Sequence, residues 1–146
     1  MTTEVVAYNG VDTEFTVSAL TAGVIYRFNY FALNEFGSSG ASPILTIAAT
    51  TLPDAPTDIA VDWTRSNKTS LFVQWKQPTV EPAALITGYL LQIDDGSGGQ
   101  FTTVYDGSEN TGDLSYLATN LKTGFIYRFR AFAVNFNGQS APSQIA

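Results

Sequence analysis

Short runs in which apolar and polar residues alternate fill this chain, and clusters of Gly, Asp, Asn and Ser separate them. A period of two marks half-buried β-strands, and no stretch sustains the 3.6-residue period of a helix, so the pattern predicts an all-β protein. From Pro53 onward the runs form an ordered series. Ile59, Val61 and Trp63 predict a first strand. Leu71, Val73 and Trp75 predict a second, stopped by Pro78, which cannot continue a central ladder. Tyr89, Leu91 and Ile93 mark a third, and residues 94–99 (Asp-Asp-Gly-Ser-Gly-Gly) a turn. Residues 101–105, 114–118 and 127–135 predict a fourth, a fifth and a long sixth strand. Asn137-Gly138 is the next turn, and a seventh strand is expected after Pro142, present only in part before Ala146. On the sixth strand, Tyr127, Phe129, Ala131 and Ala133 share the face expected to be core. Arg128, Arg130, Phe132 and Val134 share the other.

The second signal is a repeat. Leu20-x-x-Gly23-x-x-Tyr26-x-Phe28 returns as Leu121-x-x-Gly124-x-x-Tyr127-x-Phe129, 101 residues later. That period is the size of one β-sandwich domain, and an internal period decides architecture before other features. Residues 1–52 match only the last four strands of the later unit. Residues 5–8 parallel its fourth strand, 15–17 its fifth, 26–34 its sixth and 44–49 its last. The expected division is a half unit over 1–52 and a nearly complete unit over 53–146 that lacks most of its last strand. Alone, residues 1–52 are expected to be unstable, because four strands without partners expose an apolar face and unpaired edges. The link between the units, residues 51–56, carries Pro53 and Pro56 and is expected to be extended and stiff.

Composition narrows the chemistry. Hydrophobic residues make up 45% of the chain and charged ones 14%, enough apolar surface for a core and too little charge for a disordered polyelectrolyte. The net charge of −6 repels phosphate, so nucleic acid and anionic membranes are poor partners. Cysteine and histidine are both absent, which removes disulfides, thiolate chemistry and the commonest general base and metal ligand. No run of about 18 apolar residues is present, and the stretch after Met1 is neither basic nor apolar, so neither a transmembrane helix nor a signal peptide is expected here. Membrane attachment is expected only through parts outside this chain.

Pro53 and Pro56, Trp75 in the second strand, Tyr89 in the third and Leu121-x-x-Gly124-x-x-Tyr127 resemble the fibronectin type III module, an immunoglobulin-like β-sandwich. The Leu-Gly-Tyr motif resembles the tyrosine corner, in which the phenol bonds back to nearby backbone. Asn135 and Ser140-Ala141-Pro142 fit the module's ending. The resemblance implies seven strands in two sheets, arranged here as tandem modules, and a spacer, adhesion or receptor role. It implies no particular ligand. Integrin-binding modules of this family carry Arg-Gly-Asp between the last two strands; residues 34–40 and 135–140 contain no such tripeptide.

Candidate sites are few. Trp75, Tyr89, Tyr26 and Tyr127 read as core aromatics rather than ligand-stacking ones. Asp94-Asp95-Gly96 reads as a hairpin turn rather than a calcium loop, since no suitably spaced acid follows. The glycines at 96, 98 and 99 lack the Lys-Ser/Thr of a phosphate loop. Asp and Glu are scattered singly, so no catalytic pair is expected, and no cofactor or metal. Asn67-Lys68-Thr69 is a glycosylation sequon in a loop expected to be exposed. Phe31 and Leu33 in the first unit, and Leu90, Phe132 and Val134 in the second, are expected to point outward as a contact face for a neighbouring module or chain. The expected role is a non-catalytic spacer acting by protein–protein contacts in a larger extracellular or cell-surface protein. The alternatives are an accessory spacer of a secreted carbohydrate-active enzyme and an intracellular or ciliary filament scaffold, with a filament or homo-oligomer as the assembled form.

Overall fold

The computed structural model describes residues 4–78 and 85–146. Among the described residues there are strands and no helices. The first unit contributes β1 (Ile25–Phe28), β2 (Leu33–Asn34), β3 (Gly37–Ser38) and β4 (Leu45–Ala48). The second contributes β5 (Thr57–Asn67), β6 (Ser70–Lys76), β7 (Ile86–Ile93), β8 (Thr102–Gly107), β9 (Ser115–Ala118), β10 (Phe129–Asn135) and β11 (Gly138–Gln139).

The second unit is a sandwich of two antiparallel sheets, ordered β5-β6-β9 and β11-β10-β7-β8. Alternation along β6, β7 and β10 aims one face of each strand inward. Val73 and Trp75 from β6 meet Tyr89, Leu91 and Ile93 from β7 and Phe129, Ala131 and Ala133 from β10. Tyr89, Phe129, Leu91 and Val73 are the largest fully buried side chains, each contributing about 1.5–3 kcal/mol by leaving water. The rings of Trp75 and Tyr89 lie 6.1 Å apart and tilted, so both are core aromatics. Tyr127 packs against this core only partly buried. From β11 the chain continues beside β10: the Ser140 and Ser143 N–H groups donate to the Ala133 and Ala131 carbonyls, and Phe129 and Ala146 exchange reciprocal backbone bonds.

Trp63 departs from the alternation. Ile59 and Val61 pack against the core, but Trp63 is exposed. The β5–β6 register shifts between Asp62 and Asn67, and the Ser66 hydroxyl accepts from the Phe72 N–H at 2.9 Å in place of a ladder carbonyl. Such an irregularity re-aims the side chains beyond it.

The first unit departs further. Residues 5–8 and 15–17, expected as strands, carry no ladder. Their counterparts β8 and β9 exist because they pair with β7 and β6, and residues 4–52 contain no equivalent of either partner. The expected long strand over 26–34 is likewise divided. Residues 25–28 pair with β4 and residues 33–34 with β3, leaving the middle without a second neighbour.

What the two units do share is a hydrogen-bond set repeated at 101 residues. Tyr26 Oη accepts from the Thr21 N–H at 3.0 Å, and Tyr127 Oη from the Lys122 N–H at 2.9 Å. Ser42 Oγ accepts from the Tyr30 N–H at 3.0 Å, and Ser143 Oγ from the Ala131 N–H at 2.9 Å. Ser39 and Ser140 serve Ala32 and Ala133 in the same way. Gly23 and Gly124 stand at φ of 79° and 90°, a left-handed geometry that costs glycine little. Both tyrosines therefore form the same corner. Tyr127→Phe removes the acceptor for the Lys122 N–H and is expected to lower the second unit's stability by about 1 kcal/mol, read as a lowered urea midpoint at unchanged slope.

Candidate interaction surfaces

The outer face of the β11-β10-β7-β8 sheet is an arginine–aromatic ladder. The Arg130 guanidinium carbon lies 4.3 Å from the centroid of Phe101 and 5.4 Å from that of Phe132. Its Nε donates to Gln92 Oε1 at 2.8 Å, which fixes the guanidinium across the strands. The Arg128 guanidinium carbon stands 5.3 Å from the same Phe101 ring. A cation held over an aromatic face is attracted to the ring quadrupole, by about 0.5–1 kcal/mol at an exposed site.

This ladder corrects one expectation. Phe132 lies on the outer face, as its alternation requires, but only 5% of it is exposed. Arg130 covers it from above, and Leu90 stands opposite it on β7. Leu90 and Val134 are half-buried, while Phe31 and Leu33 in the first unit are exposed. The expected face is therefore open in the first unit and largely closed by arginine in the second. Alternation gave the direction of these side chains; the cover comes from Arg130 and Gln92.

The ladder is anchored at one end by Asp94. This buried carboxylate accepts from the Arg128 N–H and the Gly96 N–H through Oδ1, at 2.9 and 3.1 Å, and from Arg128 Nε through Oδ2 at 2.7 Å. Burial pushes its pKa up, but the bonds from Arg128 and Gly96 outweigh burial and hold it below the usual carboxylate value. Asp95 Oδ1 accepts from the Ser97 N–H, the Ser97 hydroxyl and the Gly99 N–H. Both carboxylates of the turn thus serve internal donors. Among the described residues no group of three or more acidic, His or Cys side chains is placed to hold a metal.

Asn67 ends β5 in an exposed turn. Its Oδ1 accepts from the Thr69 N–H at 2.9 Å and the Thr69 hydroxyl at 3.3 Å. Asn67 is exposed, and its amide nitrogen is the atom a glycan would occupy.

Residues 135–138 form a site that the sequence marked only as a turn. Asn135 Oδ1 accepts from the N–H groups of Asn137 and Gly138 at 2.9 and 3.2 Å. The Asn137 side chain then reaches residues 48–50, the end of the first unit, and Asn135 Nδ2 donates to the Thr51 carbonyl at 2.9 Å.

A family description, "Fibronectin type III domain", matches residues 54–146 of this chain, which are the residues of the two-sheet sandwich. The chain belongs to the fibronectin type III family. Fibronectin type-III domain-containing protein 3a of Gallus gallus is 32% identical over 142 residues, covering 94% of this chain and 11% of the relative. Myomesin-2 of Homo sapiens is 31% identical over 135 residues, covering 90% of this chain and 9% of the relative. This fibronectin type III chain therefore spans about a tenth of the length of these curated relatives. A solved fragment of titin superposes with a TM-score of 0.59 and 24% identity, over 79% of this chain and 37% of the fragment, and shares the fold. Family membership and fold are consistent with a structural protein–protein interaction module.

Proposed function

We propose that this chain is a non-catalytic spacer from a longer tandem of fibronectin type III modules, with residues 1–52 the C-terminal half of one module and 53–146 most of the next. The observation that carries this reading is the hydrogen-bond set repeated at 101 residues, from the tyrosine corners to the paired serines. Stacked sandwiches joined by short proline-bearing links make a semi-rigid rod, each unit adding about 35 Å at about 3.3 Å per strand residue. Contact surface is offered by Phe31 and Leu33 of the first unit and by the arginine–aromatic face with Leu90 and Val134 of the second. Extending the chain at its N-terminus by the preceding sequence of the parent protein tests the reading. A second cooperative unfolding transition and protection of the Tyr30 and Ala32 amides are expected; neither appearing would sink the half-module assignment.

The parent's setting is read at Asn67. Glycan there in the native protein supports the extracellular or cell-surface form of this reading. The likeness to myomesin-2 supports the scaffold alternative, for which Asn67 is expected to be unmodified. Secreted expression of the chain is expected to add glycan that N-glycosidase removes, with none on an Asn67→Gln variant. An unmodified secreted chain would remove Asn67 as an acceptor.

A further inference from the structure

Antiparallel pairing uses only half of the backbone groups of an edge strand, and the others point away from the ladder. In the first unit, Ala49 pairs inward, donating to the Val24 carbonyl at 2.9 Å and accepting from the Gly23 N–H at 3.1 Å. Ala48 therefore turns its N–H and carbonyl outward, at the free edge of β4. One side chain reaches both, and the carbonyl also accepts from the Thr50 N–H at 2.8 Å. Asn137 Oδ1 accepts from the Ala48 N–H at 2.9 Å, and Asn137 Nδ2 donates to the Ala48 carbonyl at 2.9 Å and to the Thr50 carbonyl at 3.0 Å. A side-chain amide presents the same donor and acceptor as a peptide group, so it acts as a one-residue extension of the sheet. Ala48 is consequently only 4% exposed, in a unit whose other strand residues are exposed or half-buried.

We propose that the 135–138 turn is a docking site for the last strand of the preceding module, with Asn137 as its reading residue and an extended backbone as its ligand. The turn is built for this before it docks. Asn135 holds its shape through Oδ1 and uses its remaining amide group on the Thr51 carbonyl. Gly138, at φ 141°, lets Leu52 approach: a Cβ there would stand 3.3 Å from the Leu52 side chain. Backbone recognition needs no particular side chain at position 48, only a small one that lets the amide close in. The site also distinguishes the two units. The first unit has the same turn, with Asn34 Oδ1 accepting from Phe36 and Gly37, but Phe36 occupies the place of Asn137 and is exposed. A phenyl ring cannot pair with a peptide edge, so the joint held by residues 135–138 is a fixed one that the first unit's turn cannot make.

Amide hydrogen exchange on the whole chain tests the site, with Asn137→Ala and Asn137→Asp beside the wild type. In the wild type the Ala48 amide is expected to exchange at least tenfold slower than the exposed amides of residues 4–20. Asn137→Ala is expected to remove that protection while Ala131 and Ala133 stay protected, because the turn itself is held by Asn135. Asn137→Asp keeps the acceptor for the Ala48 N–H but sets a carboxylate against two carbonyls, and is expected to fall between. Residual dipolar couplings should give one alignment tensor for both units in the wild type and two in Asn137→Ala. An unprotected Ala48 amide in the wild type, or equal protection and a single tensor in wild type and Asn137→Ala, would overturn the proposal.

Discussion

Phe129→Ala is expected to cost the second unit about 3–5 kcal/mol, while Phe28→Ala, the same change one repeat earlier, leaves that unit within about 0.5 kcal/mol of wild type. Phe129 is fully buried at the centre of β10, opposite Ile93, among side chains from both sheets. Its removal leaves a cavity that surrounding strands fill only in part. Phe28 ends β1 opposite Leu45, half-exposed, with Tyr26 stacked at a centroid distance of 6.3 Å as its aromatic neighbour. Nothing in residues 4–52 supplies the second sheet that would bury it. Both tryptophans, Trp63 and Trp75, lie in the second unit, so fluorescence during urea unfolding reports that unit alone. With a slope of about 1.5 kcal/mol/M, Phe129→Ala should lower the midpoint by about 2–3 M and Phe28→Ala should leave it in place. Equal shifts would mean that the first unit's core face is covered and unfolds together with the second.

The contrast between these two phenylalanines shows what could be read in the chain. Periodicity identifies which face of a strand is apolar, so Phe129, Ala131 and Ala133 were legible as core, and the Leu-Gly-Tyr spacing marked both corners. Burial also needs a partner, and a partner is a property of the whole fold. Residues 5–8 and 15–17 carry strand-like patterns yet form no ladder, because pairing requires equivalents of β7 and β6. Trp63 alternates with Val61 but lies beyond a register shift that its own side chain does not encode. Phe132 points outward as alternation says, and Arg130 closes over it because Gln92, 38 residues away, holds the guanidinium there. Asn137 is the extreme case. Asn-Gly reads as a turn wherever it occurs, and its contact with Ala48 spans 89 residues. Local signals carry direction and turn chemistry; cover and docking come from long-range neighbours.

Asp94→Asn is expected to destabilise the second unit by about 2 kcal/mol at neutral pH, and the loss should shrink as pH falls below 3.8. The substitution keeps an oxygen for the Arg128 and Gly96 N–H groups but sets an NH2 donor against Arg128 Nε, which donates to Asp94 Oδ2 at 2.7 Å. A buried carboxylate that loses its charge-assisted bonds usually costs more, but the Arg128 side chain is 37% exposed and keeps water and the Gly99 carbonyl as partners. The pH dependence follows from the direction of the shift. Asp94 sits below its ordinary value of 3.8 in the folded unit, because the bonds from Arg128 and Gly96 overcome burial. The unfolded chain therefore binds a proton first as pH falls, and the stability this carboxylate contributes is fully present above pH 3.8, then lost as pH drops through the lower folded value. Asp62, Asp95 and Asp106 are shifted in the same direction, so acid weakens the wild type through several groups at once. Only the difference between wild type and Asp94→Asn isolates this one, and urea midpoints measured from pH 7 downward should show a gap that narrows once pH falls below 3.8. A gap that stays constant however far the pH is lowered would assign the loss to packing instead of charge. The first unit offers the internal control. Arg27 stands where Arg128 does in the repeat, and among the described residues it has no carboxylate partner, because the strand that would carry one has no counterpart in residues 4–52. Arg27→Ala should therefore change neither midpoint. The outer-face geometry of the second unit then depends on Asp94: it positions Arg128 over Phe101, and Phe101 in turn lies under Arg130.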